Sequence, residues 1–136
     1  MCGIVGYIGK EKCIPRIISG LESLEYRGYD SAGIAYITKK GIEIAKEEGR
    51  IEILKNEIDM EDNSVIGIGH TRWATHGKPS DENSHPHKVG AITLVHNGIV
   101  ENYNELRETL GEYKYLSETD SEVVAALINP IFISSF

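Results

Sequence analysis

A cysteine is the second residue of the chain, in the opening segment Met1-Cys-Gly-Ile-Val-Gly6. Methionine aminopeptidases remove an initiator methionine when the next side chain is small, so we expect the mature chain to begin at Cys2. The freed α-amine, with a pKa near ~8, then lies beside a thiol with a pKa near ~8.5 and can accept its proton. This predicts a nucleophile that carries its own base. Two alternatives stay open: Cys2 is a small buried residue at the start of a strand, or His70 or His76 acts as the base if Met1 is retained.

Cleavage of an amide by a thiolate also needs donors for the oxyanion and, for an amino-acid substrate, an anchor at each charged end. The side-chain amide of Asn97 and the backbone N–H of Gly98 are candidate oxyanion donors, each worth roughly 10²–10³ in rate; Asn-Gly is equally a strong hairpin-turn pattern. The planar fork of Arg72 suits a carboxylate, although such an arginine is more often only solvated. Asp120 suits an ammonium group, or only complements a helix dipole. Candidates for the pocket walls are Trp73, Thr75 and His76.

The segment His85-Pro86-His87 is a candidate for metal binding. No nearby cysteine and no paired carboxylate completes a ligand set, so we expect no metal and no other cofactor. Cys2 and Cys13 have no zinc-type spacing and do not suggest a disulfide framework.

The chain has 136 residues and a formal net charge of −7, with a pI of about 5.2. This length suffices for one domain. The acidic balance argues against binding to nucleic acid or to an anionic membrane surface. The first apolar run is short, and no stretch approaches the ~20 apolar residues of a membrane span, so we expect no signal peptide and a cytoplasmic location.

The elements that must position these residues follow from the spacing of the apolar side chains. Capping-box spacing of Thr119 and Glu122 predicts the start of the last helix, and Pro130 is expected to end it, leaving a short apolar tail that needs burial. Strands are predicted over residues 4–8 (buried), 34–38 and 42–46 (a hairpin), 64–70, 91–95 and 113–116. Helices are predicted over residues 11–25, 50–58, 102–110 and from 119 onward, with an acidic loop at 59–63 and a polar loop at 78–87.

Six motifs follow one another along the chain: Met1-Cys-Gly-Ile-Val-Gly6, Leu24-Glu-Tyr-Arg-Gly-Tyr-Asp-Ser-Ala-Gly33, Thr71-Arg-Trp-Ala-Thr-His-Gly77, His85-Pro-His87, His96-Asn-Gly98 and Ser117-Glu-Thr-Asp-Ser-Glu122. In this order they resemble the glutaminase domain of the glutamine-fructose-6-phosphate aminotransferases, or glucosamine-6-phosphate synthases. The resemblance covers residues 1 to about 128 and implies an N-terminal-nucleophile hydrolase fold of the α+β class, a four-layer αββα sandwich of antiparallel sheets. The amidophosphoribosyltransferases share only part of the pattern and stay an alternative.

The resemblance implies that Cys2 attacks the side-chain amide of glutamine while Asn97 and Gly98 hold the oxyanion. Ammonia then leaves, and water releases glutamate from the thioester. Arg72 is implied to bind the glutamine carboxylate, and Asp120 its amino group. The implied pocket residues are Trp73, Thr75, His76 and Gly77, with Arg27 as a supporting polar residue nearby.

The family pattern extends further than this chain. Residues 2–128 are expected to be the N-terminal part of a class II glutamine amidotransferase domain, and residues 129–136 an apolar tail unlike the family. The sugar-isomerase domains, through which the family is implied to form homodimers, are expected to be absent and the second sheet incomplete. Three hypotheses follow: a glutaminase part, an inactive remnant, or a module that docks a separately encoded remainder.

Overall fold

Four antiparallel strands form the main sheet, in the order β1-β4-β2-β3. The computed structural model describes residues 1–74 and 77–135. The strands are β1 (Gly3–Ile8), β2 (Ser31–Thr38), β3 (Gly41–Glu48) and β4 (Ile66–Arg72). Gly3 of β1 lies opposite Thr71 of β4, and Ser31 of β2 lies opposite Arg72. This register brings the start of the chain beside the end of β4.

Two helices cover one face of the main sheet, α1 (Cys13–Leu24) and α2 (Ile51–Asn56). The apolar spacing predicted both. Gly67 and Gly69 let α1 lie close to β4, because a Cβ atom at Gly69 would be only 2.5 Å from a methyl group of Ile17. This interface holds the larger buried cluster: Cys13, Ile14, Ile17, Ile18, Leu21, Ala32, Ile34, Ile51 and Leu54.

A second, two-stranded sheet lies against the opposite face of the main sheet. It consists of β5 (His87–Val89) and β6 (Ile92–Leu94), and helices α3 (Tyr103–Thr109) and α4 (Asp120–Ser134) follow. The sheets approach closely at Gly33, where a Cβ atom would come within 1.9 Å of the carbonyl oxygen of His85. Ala125 and Ala126 of α4 pack with Val89. The layers therefore run helix, sheet, sheet, helix, which confirms the α+β prediction.

Three local predictions differ from the structure. β5 begins at His87, the last residue of the predicted polar loop, where no strand is predicted, and residues 113–116 do not form a strand. In the latter segment the backbone N–H groups of Leu116 and Ser117 donate to the Glu122 carboxylate, at 2.8 and 2.6 Å, instead of pairing with another strand. β1 is an edge strand, so Ile4 and Ile8 are 42% and 78% exposed rather than buried.

The prediction that Pro130 ends helix α4 is wrong. The helix continues to Ser134. A proline inside a helix costs one backbone hydrogen bond and crowds the preceding turn, which bends a helix more often than it stops one when nothing else opposes continuation. The hydroxyls of Ser134 and Ser135 both donate to the carbonyl oxygen of Ile131 at 2.9 Å, which supports the final turn. The side chains of Ile131, Phe132 and Ile133 are exposed. Within residues 1–74 and 77–135, no helix combines the length and apolar character needed to cross a bilayer.

Candidate active site

The thiol of Cys2 lies beside the first residue after β4. The backbone N–H of Trp73 donates to the sulfur at 3.2 Å, and the sulfur lies 3.5 Å from the carbonyl oxygen of Trp73. The backbone N–H of Gly3 donates to the Thr71 hydroxyl at 3.1 Å, which fixes the strand just behind the thiol. Cys2 is half-buried. It therefore lies at the edge of the main sheet, one residue before β1, and the pairing of β1 with β4 holds it beside Trp73.

The predicted oxyanion donors meet Cys2 from the second sheet. The side-chain Nδ2 of Asn97 donates to the carbonyl oxygen of Cys2 at 3.0 Å, and Gly98 lines the same cavity as the thiol. Asn97 and Gly98 follow β6 and do not join two paired strands, since the hairpin turn of this sheet lies between Val89 and Ile92. The turn alternative for the pair is therefore wrong.

Arg72 is the last residue of β4, and its side chain is buried, with only 3% of the residue exposed. Its Nη1 donates to the carbonyl oxygen of Lys78 at 3.1 Å, and its Nη2 to that of Gly77 at 2.9 Å. Burial lowers the pKa of the guanidinium, and Asp30 and Cys2 oppose that shift. The side chain remains a cation at neutral pH, because an arginine is not deprotonated in proteins. Arg72 is thus not the solvated surface arginine of the alternative interpretation.

Asp120 begins α4 and is 4% exposed. One carboxylate oxygen accepts a hydrogen bond from the backbone N–H of Val100 at 2.7 Å, which ties the helix start to the segment after Gly98. Thr119 caps the helix by accepting from the backbone N–H of Glu122, as the sequence predicted. A buried carboxylate at this position supplies the negative charge that an ammonium group would need.

One small cavity is shared by five of the predicted site residues. Its lining includes Cys2, Arg72, Trp73, Gly98 and Asp120, and its volume is about 20 Å³. A cavity of this size has room for about one water molecule, which is less than an amino acid fills. Trp73 is half exposed and can move outward at little cost in buried area. Thr75 and His76, predicted to line the pocket, lie outside the described residues.

Two other predicted residues are close to this cavity without lining it. Gly77 has a φ of 75°, which favours glycine, and accepts the Arg72 hydrogen bond through its carbonyl. Arg27 contacts the sulfur of Met1 at 2.8 Å, so it lies beside the chain start. Four residues that the sequence did not single out for this cavity also line it: His85, His96, Thr119 and Ser121. His85 and His96 belong to the motifs His85-Pro-His87 and His96-Asn-Gly98, but only the three-dimensional structure shows that they line this cavity.

Three buried histidines, His70, His85 and His87, lie together between the two sheets, and His85 also lines the cavity. The rings of His70 and His85 are stacked with centroids 4.0 Å apart, and the His85 and His87 centroids are 4.5 Å apart. Burial lowers the pKa of His70 to about 4 and that of His87 to about 3, and also lowers the pKa of His85. All three are therefore neutral at pH 7.

Two of the buried histidines, His70 and His85, hold the backbone of His96, and His87 contacts the Thr119 hydroxyl at 2.9 Å. Nε2 of His70 donates to the carbonyl oxygen of His96 at 2.9 Å, and Nδ1 of His85 accepts from the His96 backbone N–H at 3.4 Å. The alternative in which His70 is the base for Cys2 therefore has no support in this geometry. Among residues 1–74 and 77–135, no group of three or more histidine, cysteine, aspartate or glutamate side chains could hold a metal ion.

This combination of layers and site defines the class of protein. A four-layer sandwich with a cysteine at the start of an edge strand is the fold of the N-terminal-nucleophile hydrolases. Two solved structures share it, each with 28% sequence identity and each covering 95% of this chain and 29% of the longer one. They are the glutamine phosphoribosylpyrophosphate amidotransferase of B. subtilis complexed with ADP and GMP, with a TM-score of 0.78, and an allosteric regulatory enzyme of purine biosynthesis, with a TM-score of 0.81.

The family model of the glutamine amidotransferase domain matches residues 55–131, more than half of the chain. The chain belongs to this family. It is also similar to the glutamine-fructose-6-phosphate aminotransferases (isomerizing) of Clostridium tetani, with 57% identity over 134 residues, and Staphylococcus epidermidis, with 54% over 133 residues. These matches cover 95% of this chain but only 22% of each relative, so the chain spans about a fifth of their length.

Proposed function

We propose that Cys2 hydrolyses the side-chain amide of glutamine to glutamate and ammonia. The observation that carries this proposal is the convergence of a thiol, a buried cation and a buried carboxylate on one cavity, with Cys2, Arg72 and Asp120 all in its lining. Glutamine has a carboxylate and an ammonium group at one end and an amide at the other. The opposite charges of Arg72 and Asp120 suit the two charged groups, which leaves the amide for the thiol.

The reaction uses the groups already described, after removal of Met1 has freed the α-amine of Cys2. That amine takes the thiol proton as sulfur attacks the amide carbon, and the carbonyl oxygen becomes an oxyanion held by Asn97 Nδ2 and Gly98 N–H. The protonated amine then delivers its proton to the leaving nitrogen, which departs as ammonia and leaves a thioester. Water attacks the thioester with the amine again as base, and glutamate is released.

The similarity to the aminotransferases favours one use for the ammonia. Relatives of that name are 51–57% identical to the chain, against 28% for a structure of the amidophosphoribosyltransferase type. We therefore infer the ammonia-donating half-reaction of glucosamine 6-phosphate synthesis from fructose 6-phosphate. Residues 2–128 are proposed to be the glutaminase part and 129–136 a separate apolar tail. Sugar-isomerase domains, or a separately encoded remainder, would receive the ammonia and form the homodimer, in the cytoplasm.

Intact mass before and after treatment with an electrophilic glutamine analogue tests this proposal. We expect loss of Met1 and one adduct per chain, and no adduct in Cys2→Ala. Cys13 is a suitable internal control because it is fully buried and burial raises the pKa of its thiol, so it should not react. A chain that lacks Met1, is alkylated by iodoacetamide at Cys2 and yet ignores the analogue would refute the glutamine site.

A second hypothesis is an inactive remnant that keeps the site residues without a stable fold. The exposed apolar side chains favour it, since Ile8 is 78% and Ile131 61% exposed. Thermal unfolding separates the two hypotheses. A folded glutaminase part should give a cooperative transition, whereas a remnant should give none.

A further inference from the structure

Asn83 is a buried amide in the loop between β4 and β5, and it has three hydrogen bonds. Its Nδ2 donates to the carbonyl oxygen of Lys78 at 2.9 Å and to a carboxylate oxygen of Glu118 at 3.1 Å. Its Oδ1 accepts from the backbone N–H of Glu118 at 2.8 Å. Only 3% of the residue is exposed. The amide orientation is determined, because the reverse orientation would place oxygen against two acceptors and nitrogen against a donor.

One of these hydrogen bonds is to the carbonyl oxygen of Lys78, which also accepts a hydrogen bond from Arg72. The Lys78 carbonyl accepts from Nη1 of Arg72 at 3.1 Å as well as from Asn83. A carbonyl oxygen has two lone pairs, so both bonds can form together. Gly77 lies against Asn83, since a Cβ atom at Gly77 would be 2.6 Å from Nδ2. Asn83 therefore fixes the Lys78 carbonyl by a hydrogen bond and packs against Gly77, whose carbonyl also accepts from the guanidinium.

The other bonds of Asn83 lead to the opposite end of the candidate site. Glu118 is two residues before Asp120, and its backbone N–H is held by Asn83 Oδ1. The loop itself is attached to β3 at other points, because Asp81 accepts from the Glu48 backbone N–H at 2.7 Å. Asn83 thus connects the strand end that carries the cationic anchor to the helix start that carries the anionic one.

We propose that Asn83 is a positioning residue for substrate binding: it sets the orientation of Arg72 and its separation from Asp120 to suit an α-amino acid. This inference rests on the proposed glutaminase function. Such a residue acts on an anchor that is engaged equally in the bound substrate and in the transition state. Its loss should therefore weaken binding without slowing the chemical step.

The test measures how the rate of Cys2 alkylation depends on the concentration of the electrophilic glutamine analogue. For Asn83→Ala we expect the half-saturating concentration to rise at least tenfold and the maximal rate to stay within twofold of wild type. Iodoacetamide, which has neither charged end, should alkylate Cys2 at the same rate in both. Asn104→Ala, at an exposed position of α3, is the matched control and should behave as wild type.

Asn83→Asp is a second variant with a side chain of the same size. It tests the positioning role if Asn83→Ala does not fold. It keeps an acceptor for the Glu118 N–H but sets negative oxygen against the Lys78 carbonyl and the Glu118 carboxylate, so half-saturation should again rise tenfold or more. An unchanged half-saturation, or equal losses with the analogue and with iodoacetamide, would overturn the inference. If wild type reacts with iodoacetamide but not with the analogue, the proposed function fails and this inference with it. Equal labelling of wild type and both variants by the analogue refutes the positioning role alone.

Discussion

The three buried histidines predict that mild acid destabilises the fold. In the unfolded chain a histidine titrates near its ordinary pKa of about 6.5, whereas in the folded state burial lowers the pKa of His70 to about 4, that of His87 to about 3, and that of His85 as well. Below pH 6.5 the three histidines are largely protonated in the unfolded state but remain neutral in the folded state. Stability is therefore full above pH 6.5 and is lost as the pH falls toward the folded-state values.

The size of this loss follows from the proton linkage. At pH 5.5 each histidine favours the unfolded state by about 1.4 kcal/mol, because the unfolded form is about ten-elevenths protonated and the folded form almost none. The three together cost about 4 kcal/mol, a large part of the 5–15 kcal/mol that is typical of a domain. Protonation would also remove the acceptor on His85 Nδ1 that holds the His96 backbone, so the site should loosen along with the core.

Urea unfolding at pH 7.5, 6.5 and 5.5 measures this loss, with fluorescence from Trp73, the single tryptophan, and far-ultraviolet circular dichroism as independent probes. His87→Gln is the matched variant, because glutamine can still bond the Thr119 hydroxyl that His87 contacts at 2.9 Å but does not titrate. Its loss between pH 7.5 and 5.5 should fall to about two-thirds of the wild-type value. A wild-type loss below about 1 kcal/mol, or an unchanged loss in the variant, would refute the assignment of neutral buried histidines.

Two substitutions test the site and the core separately. Asn97→Ala should lower kcat for the release of ammonia from glutamine by roughly 10²–10³, with little change in KM, because the oxyanion forms when the thiolate attacks the amide carbonyl and the donor acts mainly in that transition state; an equal fall in the rate of Cys2 alkylation by iodoacetamide would point instead to a misplaced thiol. Gly69→Ala should lower the free energy of unfolding by about 1–3 kcal/mol, since the new methyl would lie 2.5 Å from Ile17. Gly6→Ala, where no atom lies within 4 Å, is its control in urea unfolding.

The elements that the sequence predicted well are those whose apolar spacing is long and local. Helix α1 shows five fully or almost fully buried side chains on one face, and the β2–β3 hairpin is closed by Gly41 with a φ of 119°. β5 could not be predicted in this way. It is three residues long and follows a polar segment, and its stability comes from pairing with β6 and packing under α4, which are contacts that no local pattern reveals.

Glu122 illustrates a contact that the sequence pattern does not determine. The capping-box spacing predicted the start of α4 at Thr119, and in a complete capping box the glutamate carboxylate also accepts from the backbone N–H of the N-cap residue. The predicted helix start forms, since the Thr119 side chain accepts from the Glu122 backbone N–H. The Glu122 carboxylate instead accepts from the backbone N–H groups of Leu116 and Ser117 and from the Tyr113 hydroxyl. The backbone of Glu122 therefore takes part in the cap, while its buried side chain holds the preceding segment out of any strand. A choice between two sets of donors depends on the tertiary structure, and sequence spacing alone cannot make it.

The chemistry of the site was readable from residue types, but its assembly depends on strand register. Cys2 meets Trp73 across 71 positions of sequence only because Gly3 pairs with Thr71. A slip of one residue would turn every side chain of β1 to the other face and separate the thiol from the end of β4. Gly3 permits the observed register, since a Cβ atom there would lie 2.7 Å from Leu24. Saturable reaction of Cys2 with the glutamine analogue would therefore report on chemistry and on correct pairing of the edge strand together, and iodoacetamide, which needs only an accessible thiol, separates the two.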